Sequence, residues 1–371
     1  MAKLGDICTI NMGQSPSSST YNSTGEGLPF FQGNADFGDI HPTVRTWCSN
    51  PIKIAEKGDL LISVRAPIGA LNIANEQCCI GRGLAALTNC TKNIYKEYLW
   101  FALLSKIDEL NSKGTGSTFK SINKKILAET SIPLPSLERQ KQIAKQLICL
   151  ATLLSRKKQQ LSKLDQLVKS RFIEMFGDPV ENPYKWNMTY LNMLGELNRG
   201  ISKHRPRNAP ELLNGKYPLI QTGDIASSDL YITKYSSTYS ELGLKQSRMW
   251  PSGTLCITIA ANIAKTSILK FDACFPDSVV GFISGKEYMQ VFIYFWFSFF
   301  QKILEEQAPE SAQKNINLKI LNELKVISPP SSLQKDFFKF VQQVEKTKSS
   351  VKQSLEKLET LKKTLMQEYF G

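Results

Sequence analysis

The chain has 371 residues, of which 42% are hydrophobic and 10% aromatic, and its 46 Lys+Arg outnumber 33 Asp+Glu to give a formal charge of +13. That apolar content excludes a wholly disordered chain and is enough for two ordinary cores. The excess charge points to a polyanionic partner, nucleic acid above all, reached by long-range attraction and counterion release; a basic, merely solvated surface is the plainer alternative.

In chain order, Met1-Ala2-Lys3-Leu4-Gly5-Asp6 has no apolar h-region, so no signal peptide is expected. The next stretch is rich in Gly, Pro, Ser and short β-branched runs. Gly58-Asp59 followed by Leu60 to Val64 predicts a buried strand after a glycine turn. Adjacent Cys78-Cys79 predict inert thiols inside another apolar strand, and residues 95–112 are helical in pattern. Gly114-Thr115-Gly116-Ser117-Thr118-Phe119-Lys120-Ser121 lacks both the G-x-x-x-x-G-K-[ST] spacing and a leading strand, so it is no phosphate loop. A ligand-facing loop and an ordinary turn both remain open for it.

Pro133-Leu134-Pro135-Ser136 then sets an extended approach and an N-cap. No Gly or Pro interrupts Leu137 to Phe176, and Ile143, Leu150, Leu164 with Leu147, Leu154, Leu161, Val168, Met175 recur at heptad spacing, broken by Lys157 and Arg171. Gly177-Asp178-Pro179 is a stop signal, and the linker 178–185 leads to Trp186.

From there the chain is written a second time. Leu4-Gly5-Asp6 is answered by Leu194-Gly195-Glu196, Pro29 to Asn34 by Pro218 to Asp224, and Gly58 to Val64 by Gly253 to Ile259. Ile122-Asn123-Lys124-Lys125-Ile126-Leu127 matches Ile316-Asn317-Leu318-Lys319-Ile320-Leu321, and the same offset of 194 (Ile122 to Ile316) sets Pro135 on Pro329 and Gln140 on Gln334. Leu255 to Ile259 and Val279 to Ile283 read as strands. Residues 287–306 read as a helix, whose apolar run Val291 to Phe300 is far short of the ~20 residues a membrane span needs. After Pro329-Pro330-Ser331-Ser332 comes a second long helix, with Phe337, Val344, Val351, Leu358, Leu365 on the seven-residue period and Val341 and Leu355 beside them.

These patterns predict an α+β fold: two globular α+β domains, each followed by a long helix. Two amphipathic helices of about 40 residues, roughly 60 Å at ~1.5 Å per residue, can cover each other's apolar stripe as an intramolecular coiled coil. The alternative is that each packs on its own domain.

The order of domain, helix, domain, helix resembles the specificity subunit of type I restriction–modification systems. The resemblance covers essentially the whole chain. It rests on Gly13-Gln14-Ser15-Pro16 with Gly27 to Gly33, on Arg199-Gly200-Ile201-Ser202-Lys203-His204-Arg205-Pro206-Arg207 with Tyr217 to Ile225, and on Ser311-Ala312-Gln313-Lys314-Asn315-Ile316-Asn317 running on to Pro330. It implies target recognition domains at 1–135 and 186–330, and spacer helices at 136–177 and 331–371 that form an antiparallel coiled coil in a pseudo-twofold repeat. One departure concerns Trp186, which precedes Leu194 but has no counterpart before Leu4, and which bears on how the N-terminal strand packs.

The family likeness further implies a cytoplasmic, non-catalytic reader of double-stranded DNA. It would recognise a bipartite asymmetric site and dock two modification subunits, which methylate adenine N6 with S-adenosylmethionine. Restriction subunits would bring ATP and Mg²⁺, leaving no cofactor, metal or membrane contact on this chain. The expected DNA-binding residues are Gln14, Arg65, Arg82 and Lys120 in the first domain, and Arg199, Lys203, Arg205, Arg207, Arg248, Lys265 and Lys314 in the second. Arg and Gln suit base edges and Lys suits phosphate. A solvated charge run (199–207) and structural ion pairs (Arg65, Arg82) are the alternatives.

No catalytic constellation competes. The eight cysteines, read as scattered free thiols, form no C-x-x-C pair, and only His41 and His204 are present. Asn182-Pro183-Tyr184 has one proline and no Gly-rich cofactor loop near it. The competing functional classes are the recognition part of a restriction enzyme with a different cutting scheme, and a coiled-coil scaffold whose end domains bind other proteins.

Overall fold

A computed structural model describes residues 1–116, 120–260, 263–307 and 316–371, the stretch 302–307 by backbone alone. The chain divides into two units, residues 1–159 with 352–371 and residues 160–351.

In the first unit the antiparallel central sheet runs Thr9–Met12, Leu84–Thr88, Leu60–Ser63, Leu71–Ile73. Gly58 takes φ +86, the left-handed turn its strand requires, and Leu60–Ser63 is buried throughout. In a second sheet Leu28–Phe31 lies parallel to Cys78–Ile80. Burial pushes the Cys78 thiol up to about 12 and the Cys79 thiol to about 11, as expected of inert core cysteines. Residues 95–112 form two helices, Lys96–Leu104 and Ile107–Ser112. The expectation that all eight cysteines are free is corrected here: Cys8 pairs with Cys90. The register Thr9↔Thr88 brings these flanking residues together at adjacent strand ends, a contact between sequence-distant positions that spacing cannot show.

The second unit repeats this plan. Glu196–Arg199, Val279–Ile283, Leu255–Thr258 and Thr266–Leu269 form the equivalent sheet, with Tyr231–Ile232 added parallel at its edge. Leu213–Leu219 lies parallel to Ala273–Cys274, as Leu28–Phe31 does to Cys78–Ile80. The apolar helix Glu287–Gln307 fills this core with Phe292, Ile293, Trp296 and Phe297, and no helix among the described residues is long and apolar enough to cross a membrane.

Both short terminal ladders are present: Ala2–Lys3 pairs with Ser131–Ile132, and Met188–Tyr190 with Lys325–Ile327. Trp186 meets the end of the first long helix, where its Nε1 donates to Phe176 O at 2.9 Å; Gly177 at φ +76 breaks the helix there. Asn182 is spent on both backbone groups of Trp186, so Asn182-Pro183-Tyr184 is a structural turn.

The long helices are Leu137–Phe176 and Ser331–Phe370. In the first unit Gln146 meets Tyr369 (2.8 Å) and Lys158 meets Glu359 (3.8 Å). In the second, Asp165 meets Lys348 (2.7 Å) and the Phe172 ring packs 5.4 Å from Phe337. Partner numbers fall on one helix as they rise on the other, so the pairing is antiparallel. The alternative packing also holds in part: Ile143, Ala144 and Leu147 join the first unit's core, and Phe337, Val341 and Val344 the second's.

Candidate nucleic-acid interface

Strand register gathers most of the expected residues at one end of each central sheet. In the first unit Met12 pairs with Ala85 and Ser63 with Leu84. Gln14, Arg65 and Arg82 therefore leave the sheet at the same end. Ala66 N donates to Lys120 O (3.0 Å) and brings Lys120 beside them. All four are exposed. Among the described residues no carboxylate pairs with Arg65, Arg82 or Lys120. Residues 117–119, inside the glycine-bearing loop, lie outside the described residues.

Two details build this edge. Gly13 N donates to Leu84 O (2.9 Å), and a Cβ on Gly13 would meet Gly81 O at 2.2 Å, so only glycine admits this close approach. Ser15 Oγ accepts from Arg82 N (3.2 Å) and donates to Gln32 Oε1 (3.3 Å), fastening the two loops together.

The second unit uses the same devices. Gly200 N donates to Val279 O (2.8 Å), and a Cβ on Gly200 would meet Pro276 O at 2.3 Å. Lys265 N donates to Thr258 Oγ1 (3.0 Å) as Ala70 N does to Ser63 Oγ (2.9 Å). Gln221 N donates to Asp224 Oδ2 (2.8 Å) as Gln32 N does to Asp36 Oδ2 (2.8 Å).

What differs is the charge carried there. The loop after Arg199 is folded on itself: Lys203 N and His204 N both donate to Gln246 Oε1 (2.7 and 3.1 Å). Arg205 donates to Ser202 O (2.6 Å) and His204 O (2.8 Å) and lies 3.3 Å from Asp277, which Arg207 also engages; Arg199 Nε donates to the Asp277 carbonyl. This run is exposed yet organised by these contacts. Arg248 stands over the buried Trp250 ring at 4.3 Å, beside Gln246.

Lys265 begins at the same sheet end, but it is half-buried and its Nζ donates to Gln301 Oε1 (3.1 Å) on the apolar helix. Lys314 lies outside the described residues. Sequence reading missed Asp277, because one carboxylate shows no pattern, and it missed Gln32 and Gln221, although their equivalence in the repeat was a usable signal. Among the described residues no group of His, Cys, Asp and Glu is placed to hold a metal.

The family model described as the type I restriction modification DNA specificity domain matches residues 1–165 and again 183–360. The putative type I restriction enzyme MjaX specificity subunit of Methanocaldococcus jannaschii is 42% identical over 160 residues, 43% of this chain and 38% of that protein. The MjaIX specificity subunit of the same organism is 24% identical over 273 residues, 67% of this chain and 62% of that one. The matches thus span less than two thirds of these relatives' lengths. The crystal structure of a type I restriction–modification S subunit from M. genitalium has the same fold, with a TM-score of 0.64 at 16% identity over 100% of this chain and 95% of that one.

Proposed function

This chain belongs to the type I restriction modification DNA specificity family, and on that premise we propose that it is the sequence-reading specificity subunit of such an enzyme. Each recognition domain reads one half of a bipartite, asymmetric duplex site. The observation that carries this reading is the pair of equivalent sheet ends. The same glycine approach and the same serine or threonine hairpin recur, while the side chains they present differ. A shared scaffold with divergent contact loops is what two reading heads for unlike half-sites require.

The reading divides labour with partners. The two long helices space the domains and dock two modification subunits, which bring S-adenosylmethionine and methylate adenine N6. Restriction subunits add ATP- and Mg²⁺-dependent cleavage, and the assembly works in the cytoplasm. This chain contributes orientation and contact without a cofactor of its own. Gln14, Arg65, Arg82 and Lys120 serve the first half-site; Arg199, Lys203, Arg205, Arg207 and Arg248 serve the second. Lys265 and Lys314 are assigned to the second by likeness alone. Three cations at one sheet end, without a carboxylate partner among the described residues, favour a polyanionic partner over the scaffold reading.

Methylome sequencing of a host expressing this chain with its modification subunit is the test. A bipartite motif methylated in both halves, lost when the chain is removed, is the expected result. Unchanged methylation beside an active modification subunit would reject the reading.

A further inference from the structure

The two copies diverge at one position that governs how each edge carries charge. Gly13 donates to Leu84 O and Gly200 to Val279 O, and Ser63 and Thr258 hold the same hairpin at an offset of 195 (Ser63 to Thr258). Residues 82 and 277 therefore occupy the same place, two positions before the equivalent strands Leu84–Thr88 and Val279–Ile283. In the first domain that place holds Arg82, exposed and without a carboxylate partner among the described residues. In the second it holds Asp277, whose side chain is 25% exposed and lies between Arg205 (56%) and Arg207 (45%).

A carboxylate at an edge meant for a polyanion is costly unless it does something else, because it repels phosphate. Here it gathers three guanidinium groups of one loop: Arg205 and Arg207 by its carboxylate, Arg199 by its carbonyl. Arginine side chains are long and lose much rotamer freedom on ordering. Fixing them in the free protein leaves their outer N–H groups aimed in advance, which bidentate reading of a base edge needs.

We propose that Asp277 is a positioning and specificity-determining residue of the second recognition domain, whereas the first domain presents Arg82 directly from the same place. The inference rests on the DNA-reading assignment above. The first domain then draws more of its binding from uncompensated charge, and the second draws more of its discrimination from preset geometry.

The test is selection of duplexes from a randomised library by the full chain, as wild type, Asp277→Asn and Asp277→Glu. Wild type is expected to recover a split motif. The near-isosteric Asp277→Asn should keep one half intact and lose about tenfold or more in base discrimination in the other. Its affinity for an unselected duplex should hold or rise, because a negative charge has been removed. Asp277→Glu should recover part of the lost discrimination. Both halves retained at wild-type discrimination by Asp277→Asn would overturn the inference alone. So would both halves weakening together, which is the signature of a general structural role. A wild type that selects no motif would remove the DNA-reading assignment and the inference with it.

Discussion

Lys348 Nζ lies 2.7 Å from Asp165 Oδ1, joining the two long helices inside the second unit, and is also 2.9 Å from Glu345. Lys348 is 5% exposed, whereas Asp165 keeps 52% of its side chain in solvent. An ion pair so placed stabilises little over a well-packed apolar side chain. The position equivalent to Lys348 in the first helix is Leu154, itself buried. Lys348→Leu is expected to be neutral or to stabilise by about 1 kcal/mol. Lys348→Ala is expected to cost about 1–3 kcal/mol through the lost packing of the stem. Urea denaturation followed by tryptophan fluorescence distinguishes the two.

The same lysine predicts a pH dependence. Burial alone would lower its pKa, but the Asp165 and Glu345 carboxylates outweigh burial and hold the ammonium above the usual lysine range. A group raised in the folded state contributes fully below its unfolded value of about 10.4 and loses that contribution as pH climbs through the folded value. Wild type should therefore lose more stability than Lys348→Leu between pH 9 and the most alkaline buffer tolerated, ~pH 11. Parallel melting curves for the two proteins across that window would contradict the assignment.

For the first domain, Arg65, Arg82 and Lys120, which have no carboxylate partner among the described residues, predict separable effects on duplex binding. Lys120→Ala should weaken all sequences alike and reduce the log–log salt slope by about 1. Arg65→Ala or Arg82→Ala should cost about 1–3 kcal/mol on the preferred site and relax its selectivity. Titrations at three salt concentrations, on selected and scrambled duplexes, decide the matter; arginine variants that leave both affinity and selectivity intact would remove those residues from the interface.

Gly13 and Gly200 are expected to resist substitution for steric reasons alone. An alanine Cβ would sit 2.2 Å from Gly81 O and 2.3 Å from Pro276 O respectively, so backbone must move. Each Gly→Ala change should cost about 1–3 kcal/mol or more. Hydrogen exchange should rise locally at residues 80–85 for Gly13→Ala and at 275–280 for Gly200→Ala, and protection unchanged there would be evidence against the close approach.

Gln140 and Gln334, equivalent in the repeat, should respond unequally. Gln140 donates to Asn93 O and Pro135 O and accepts from Tyr95 N, all at 2.9 Å. Gln334 makes the matching bond to Pro329 O (2.8 Å), but its buried Oε1 has no partner among the described residues. Gln140→Ala strands three backbone groups and should cost about 2–3 kcal/mol, against about 1 kcal/mol for Gln334→Ala. Thermal melts of both variants measure the difference.

The repeat, the helices and the family were legible because each rests on periodic or recurring residues. Heptad positions such as Leu154 and Val351 repeat at the spacing of a buried helical stripe, and Gly58 and Gly253 must turn the chain ahead of a buried strand. The contact loops were legible as composition only. That Arg205 and Arg207 close on Asp277, or that Lys265 is engaged by Gln301, depends on strand register and loop closure between distant segments. The Cys8–Cys90 pairing was hidden for the same reason. Trp186 bonds the end of the first long helix and packs against the second unit's core, contacts that its place ahead of Leu194 does not reveal.

Residues 352–371 belong to the first unit, where Leu365, Met366, Tyr369 and Phe370 pack against its core, yet they follow the whole of residues 160–351 in the chain. Vectorial synthesis therefore cannot finish the first unit before the second has emerged. The first unit's contacts thus span a long sequence separation, so its refolding is expected to be slower than that of a tandem of self-contained domains.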